Sequence, residues 1–299
     1  MVSIRARFFI KIMNLLSLKV EEELNVEKQR KDLKNQTILF LKPFGVKVDH
    51  VHIKGINGEW LYTRKSMKDR AIIYLHGGSY IAGSPKTHRS LAAHISKVSK
   101  FPVLLIDYRL APENPFPAAL EDVISAYEWL LDAKEIDPKK VIIAGDSAGG
   151  TLTLSALIKL RDDGSPLPAA GICLSPCTDL AITGDSIKTK AEEEIMLSEF
   201  EIVEAVKLYL KDVDRKHPVA SPLYADLTGL PPLLFQTGTA EMLLDDTIRF
   251  AEKAKNEGVE VTVDLWTDMF HVFQIFGNLM PESKKAIEKI GKFIQERLF

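Results

Sequence analysis

The residues best suited to chemistry form one hexapeptide, Gly145-Asp146-Ser147-Ala148-Gly149-Gly150. Ahead of it stands Val141-Ile142-Ile143-Ala144, which is short, apolar and rich in β-branched residues. Behind it, Thr151 to Leu160 is an apolar stretch of helix length. Strand, sharp turn and helix are the setting in which Gly-x-Ser-x-Gly lifts a serine Oγ to the top of a sheet. The glycines have a steric reason, because a Cβ at such a turn would strike the neighbouring backbone. The helix N-terminus behind Ser147 favours developing negative charge. The chemistry this suggests is nucleophilic attack on a carbonyl. Taken alone, the pattern also fits a glycine-rich turn with a bystander serine.

A serine nucleophile needs a base, an acid to orient that base, and donors for the oxyanion. His76-Gly77-Gly78-Ser79 follows the apolar run Ala71–Leu75 and supplies a donor loop, since glycines let backbone N–H groups turn toward a ligand. By position Gly78 and Ser79 donate, Gly77 shapes the turn, and the N–H of Ala148 is the other donor. The chain has seven histidines. Only His271 combines a loop after the last strand with the order serine, acid, histidine. His76 is read as fixing its loop, and His50, His52, His88, His94 and His217 have no catalytic context. Asp146 is read as a brace for the elbow. The stretch Gly238 to Asp246 offers Glu241 and Asp245 as acids, and the helix dipole also suits Asp245 and Asp246 to a helix N-terminus.

These residues need a scaffold. Residues 4–41 read as two helices, with Phe8, Ile12, Leu15 and Leu16 at helical spacing, and Pro43 ends the pattern. Their apolar face must be buried, on the sheet edge or over the site. Strands are expected near 48–53, 60–62, 71–75, 101–107, 141–145, 169–175, 233–238 and 259–266. Helices are expected at 117–133, 150–161 and 245–257, with a last one after Pro281. The alternation implies a mostly parallel sheet with helices on both faces, and ligands outside the carboxyl ends of its strands. His76, Ser147, Glu241 and His271 all fall just past a strand end. Nearly sixty residues separate the strands at 169–175 and 233–238, too many for a plain crossover. Ser198-Glu199-Phe200-Glu201 is a capping box, and Ile202, Val203, Val206 and Leu210 follow at helical spacing. The 180–218 stretch is therefore an insertion with at least one helix, at the end of the fold where pockets are shaped.

Composition narrows the classes. A chain of 299 residues that is 46% hydrophobic can bury a large core. With a net charge of −2 and no basic stripe carrying interleaved aromatics, a nucleic-acid partner is not expected. Cys173 and Cys177 lack the partners for a zinc site and read as buried small hydrophobes, which fits a reducing, cytoplasmic compartment. No apolar run approaches the ~18 residues of a membrane span. The segment Phe8–Leu18 loosely mimics a signal peptide. Lys11 and Asn14 interrupt it, and no small-x-small site follows, so an amphipathic helix is the better reading.

Four blocks together resemble the hormone-sensitive-lipase-like esterases of the α/β-hydrolase superfamily. They are His76-Gly77-Gly78-Ser79-Tyr80 with Gly83-Ser84; Asp107-Tyr108-Arg109-Leu110-Ala111-Pro112-Glu113 with Phe116-Pro117-Ala118-Ala119; Gly145 to Gly150; and Asp268-Met269-Phe270-His271-Val272-Phe273. The resemblance runs from about residue 45 to the end. It implies an α/β-hydrolase fold, with an eight-stranded, mostly parallel sheet flanked by helices and a helical cap. Residues 1–45 would form an N-terminal cap segment, 46–179 and 219–299 the catalytic core, and 180–218 the cap insertion. It also implies that the second block is a structural brace near the site.

Two departures stand out. Ser79 occupies the place of a third glycine in the donor motif, which keeps the N–H but asks a residue with a Cβ for an unusual φ. Glu241 aligns with the acid, which in this family is usually aspartate. The resemblance implies a serine carboxylesterase for short- to medium-chain esters, acting through Ser147, His271 and Glu241 with no metal or organic cofactor. Met13, Leu16, Met196, Leu197, Phe200 and Tyr209 are candidate pocket lining. Residues at that spacing also serve as plain cap core. A lactone or amide hydrolase on the same site, or a non-catalytic receptor of the same fold, remain as rivals. A second copy could add at a strand such as Val259–Trp266 if it lies at the sheet edge.

Overall fold

The computed structural model describes residues 2–16, 23–36 and 41–298, and for residues 12–16 and 36 the backbone alone. Eight strands form one sheet: β1 (Val46–Ile53), β2 (Ile56–Thr63), β3 (Ala71–Leu75), β4 (Val103–Asp107), β5 (Val141–Asp146), β6 (Ala170–Leu174), β7 (Leu233–Gly238) and β8 (Val261–Trp266). Their spatial order is β1-β2-β4-β3-β5-β6-β7-β8. The β1–β2 and β2–β4 pairs are antiparallel, and the remaining pairs are parallel. Strands β3, β5, β6 and β7 are buried at every position, as parallel strands covered on both faces must be. Of the edge strands, β1 mixes exposed and buried residues, and β8 has half-buried and exposed residues only.

Alternate side chains leave the sheet in opposite directions and build two cores. Ile73, Leu75, Leu104, Ile106 and Ile143 belong to one, with α4 (Ala118–Asp132), α5 (Ala148–Asp162), α7 (Glu199–Leu210) and α8 (Leu244–Asn256). Ile72, Tyr74, Val103, Leu105 and Ile142 belong to the other, with α3 (Pro85–Ser99) and α9 (Pro281–Leu298). Between β6 and β7 the chain makes the short helix α6 (Ser186–Thr189), then α7 behind its Ser198 cap.

The structure adds one helix to those expected and corrects one expectation. Helix α3 does not appear in the periodicity reading, because its buried face carries Thr87, His88, Ser90, His94, Ser96 and Ser99 among the apolar residues. Its start was nonetheless signalled by Ser84-Pro85, a cap residue followed by proline at the first helical position. The two N-terminal helices are α1 (Ile4–Leu16) and α2 (Val26–Gln36), but Phe8 does not belong to a buried stripe. It is 62% exposed, while Ala6 is buried and Phe9 and Ile10 pack against the cluster around Phe270 and Phe276. The side chains of Ile12, Met13, Leu15 and Leu16 lie outside the described residues.

The close crossing of α5 over β3 and β5 rests on glycine. A Cβ on Gly149 would lie 2.0 Å from the Leu75 carbonyl oxygen, with backbone on both sides of the clash. Gly149→Ala is therefore expected to destabilise the fold by about 4 kcal/mol or more. Thermal melts should show a midpoint about 8 °C or more below wild type, or no soluble protein at all.

Candidate active site

Ser147 sits between β5 and α5 with φ 52° and ψ −123°, a conformation that costs a residue with a Cβ on the order of 1–3 kcal/mol. Its surroundings hold it there. Its N–H donates to the Leu174 carbonyl at 2.8 Å, and its carbonyl accepts from Thr151 N–H at 3.0 Å. The side chain is 8% exposed and faces a cavity shared with Ser79, Tyr80 and Ala148.

The donor loop lies directly against this turn. A Cβ on Gly77 would come within 2.3 Å of Asp146 Oδ2 and 3.2 Å of Ser147 Cβ, so only glycine fits there. Ser79 takes φ 55°, the left-handed conformation that its departure from glycine requires. Among the described residues, no hydrogen bond takes the backbone N–H of Gly78, Ser79 or Ala148.

Beneath the loop lies a buried polar brace. Tyr74 donates its hydroxyl to Asp146 Oδ1 at 2.8 Å, and His88 Nε2 lies 3.2 Å from Asp146 Oδ2. Burial alone would raise the Asp146 pKa, but the charge and hydrogen bonds of His88 and Tyr74 outweigh it and hold it below the ordinary value. His76 stacks on Tyr108 at 4.2 Å and on His88 at 5.5 Å, and its Nδ1 lies 2.9 Å from the Gly77 carbonyl oxygen. Burial, aided by His88, pushes the His76 pKa down to about 3, so the ring stays neutral. His88, which the sequence left without a role, thus joins Asp146 under the elbow.

The Asp107–Ala119 block reinforces the same loop. Tyr108 donates to the His76 carbonyl at 2.6 Å, and Ala111 N–H donates to the Tyr80 carbonyl at 2.9 Å. From α2, Arg30 donates to the carbonyls of Ile81 at 2.7 Å and Ala111 at 3.0 Å and forks onto Glu113.

On the other side, His271 Nδ1 lies 3.2 Å from Glu241 Oε2. A carboxylate can only accept, so Nδ1 carries the proton and Nε2 keeps its lone pair. Glu241 is fully buried. Its Oε1 accepts from the Ser175 hydroxyl at 2.8 Å and from Gly238 N–H. Ser175 also accepts from Val272 N–H at 3.2 Å, tying the Glu241 and His271 loops together. Sequence reasoning missed Ser175; the signal was its place one residue past β6, beside the elbow strand. Burial opposes a charged His271, but Glu241 by hydrogen bond and charge, then Glu194 and Asp146 by charge, raise its pKa above the ordinary histidine value. Asp245 is occupied elsewhere, with its Oδ2 accepting from Ser186 N–H at 2.8 Å.

The cavity over Ser147 is apolar. Of the expected lining residues, Leu197 is there, together with Tyr80, Cys177, Ile202, Ala205, Val206 and Leu243. Met196, Phe200 and Tyr209 do not line it. Met196 packs in the cluster around Phe270, and Tyr209 is buried in a stack on Tyr80 at 3.7 Å. The face of α7 turned to the cavity is the 202-205-206 stripe; Phe200 lies off it, and Tyr209, one turn further along the same stripe, packs against Tyr80 instead. Met13 and Leu16 have side chains outside the described residues. No group of three or more His, Cys, Asp or Glu suited to a metal ion occurs among the described residues.

The pattern of the family described as alpha/beta hydrolase fold matches residues 72–275. An acetyl-hydrolase of Streptomyces hygroscopicus is 44% identical over 248 residues, covering 83% of this chain and 82% of its own. A crystal structure of an esterase from the bacterial hormone-sensitive lipase family superposes with a TM-score of 0.95 at 39% identity, covering 99% of both chains. The chain belongs to the hormone-sensitive-lipase-like esterases. A structure of another esterase, EstE5, soaked with p-nitrophenyl butyrate, is 42% identical with a TM-score of 0.95 and covers 99% of both chains. Within this family of esterases the eight-stranded sheet described above is the α/β-hydrolase fold. Among the described residues, no helix is long and apolar enough to cross a membrane.

Proposed function

We propose that this carboxylic ester hydrolase works through Ser147, His271 and Glu241 and takes short- to medium-chain acyl esters. The observation that carries the reading is the strained Ser147, facing a cavity beside unpaired N–H groups, on a sheet that also presents the buried His271–Glu241 pair. Ser147 Oγ attacks the ester carbonyl carbon as His271 Nε2 takes its proton. The carbonyl π pair moves to oxygen, and that oxyanion rests on the N–H groups of Gly78, Ser79 and Ala148, with Gly77 shaping the turn. Each donor is worth on the order of 3 kcal/mol. Collapse expels the alcohol, which takes the proton from His271. Water, deprotonated by His271, then attacks the acyl-serine, and the second collapse frees the acid as Ser147 Oγ takes the proton back from His271. Glu241 holds the tautomer and balances the imidazolium charge throughout.

The apolar cavity supports an uncharged acyl chain, and the names of the relatives point the same way: one is an acetyl-hydrolase, and one crystal was soaked with a butyryl ester. The segments 1–45 and 180–218 are proposed as cap, with 46–179 and 219–299 as catalytic core. Support comes from α7, which supplies cavity wall, and from α2, which grips the donor loop through Arg30. Cys173 and Cys177 are free and buried, which supports a reducing, cytoplasmic setting. Strand β8 ends the sheet and is the place where a second copy could add.

The experiment is hydrolysis of p-nitrophenyl acetate, butyrate, octanoate and palmitate. The rate should peak at a short or medium chain, and activity confined to palmitate would contradict the pocket assignment. Ala205→Phe, which puts a ring into the cavity wall, should lower kcat/KM for octanoate by about tenfold or more while sparing acetate.

A further inference from the structure

The 180–218 segment carries a second buried carboxylate that the mechanism above does not use. Glu194 is 8% exposed. Its Oε1 accepts from the N–H groups of Ile195 at 2.9 Å and Met196 at 2.8 Å, and its Oε2 accepts from Met242 N–H at 3.3 Å. Both oxygens therefore face donors only. A protonated carboxyl would point its own hydrogen at one of them, so this arrangement suits the anion.

Met242 directly follows Glu241, and the segment holds it from both sides. Glu194 takes its N–H, and the Ser186 hydroxyl donates to its carbonyl at 2.6 Å. Ser186 Oγ also accepts from Asp245 N–H at 3.0 Å. The neighbouring Ile195 packs in one apolar cluster with Met269, Phe270 and Val272, the residues around His271.

We propose that Glu194 is a positioning residue through which the 180–218 segment clamps the Glu241 loop and adds negative charge beside His271. This rests on His271 being the base of the proposed reaction. Burial, with the charge of Glu241, holds the Glu194 pKa above the ordinary carboxylate value, while the charge of His271 and the N–H groups of Met196 and Met242 act the other way and favour the anion. The charges acting on His271 come from three elements: Glu241 after β7, Glu194 from the segment, and Asp146 at the end of β5. Each favours the imidazolium. Removing Glu194 therefore lets the ring lose its proton at lower pH and keeps the base competent in more acidic solution.

The test is Glu194→Gln read in two ways. One is the acid limb of kcat/KM for p-nitrophenyl butyrate. The other is the NMR titration of the His271 ring in a Ser147→Ala background, which needs no activity. Both should move down by about 0.5–1 pH unit. Ser186→Ala, which loosens the clamp but removes no charge, should leave the limb in place. Glu194→Asp keeps the charge with a shorter reach, so its rate should fall with the limb unmoved; this variant keeps the test open if Glu194→Gln does not fold. A ring titration unchanged in Glu194→Gln, or a limb that drops equally in Glu194→Asp, overturns the proposal. A shifted ring titration in a protein that hydrolyses no ester would uphold Glu194's effect and bring down the hydrolase reading instead.

Discussion

Replacing Ser147 with alanine should lower kcat/KM for p-nitrophenyl butyrate by about 10⁴- to 10⁶-fold, with an unchanged circular dichroism spectrum. The size follows from the chemistry. Without the Oγ there is no acyl-enzyme, and the donor N–H groups with substrate binding supply only residual catalysis. Alanine also keeps the strain, because it carries the same Cβ at φ 52°. Ser147→Gly should be equally inactive but more stable, since glycine adopts positive φ at no steric cost. A gain of about 1 kcal/mol, or a melting point about 2–4 °C higher, is expected. Stability gained in Ser147→Gly but not in Ser147→Ala would show that the turn holds its serine against backbone strain. A loss of less than tenfold in Ser147→Ala would mean that the nucleophile lies elsewhere.

Glu241→Gln should cost about 10³- to 10⁴-fold in kcat with little change in KM. The amide can still receive the Ser175 and Gly238 hydrogen bonds at Oε1. It cannot hold the Nδ1–H tautomer of His271 or balance the imidazolium. Asp245→Asn should change kcat less than about threefold, because Asp245 is spent on Ser186. Steady-state kinetics on the two variants separate the two acids. A large loss in Asp245→Asn with a small one in Glu241→Gln would reverse the assignment.

What could be read from the sequence follows from how local each signal is. The elbow was legible because Gly145, Gly149 and Gly150 stand at fixed offsets between a β-branched run and a helix-length run, and the structure forms a strand and a helix there. The alternation of the later elements was legible because β3 and β6 are apolar throughout and β5 and β7 open on apolar runs. Long-range polar pairing was not. Ser175 bonds Glu241, which lies 66 residues away, and His88 meets Asp146 58 residues away; no local period announces either. Helix α3 was hidden because it buries polar side chains, which defeats a reading by hydrophobic period. The pocket wall failed for another reason. A large side chain at helical spacing need not wall a pocket: Tyr209 fills core by stacking on Tyr80, while the small Ala205 leaves the space.

The central claim is that Ser147 carries the acyl group, and the most direct measurement is of that bond. The wild-type protein is reacted with a fluorophosphonate, digested and mapped by mass spectrometry. One adduct is expected, on the peptide containing Ser147, with none in Ser147→Ala and full protection by excess p-nitrophenyl butyrate. An adduct on another residue, or one that survives in Ser147→Ala, would contradict the account.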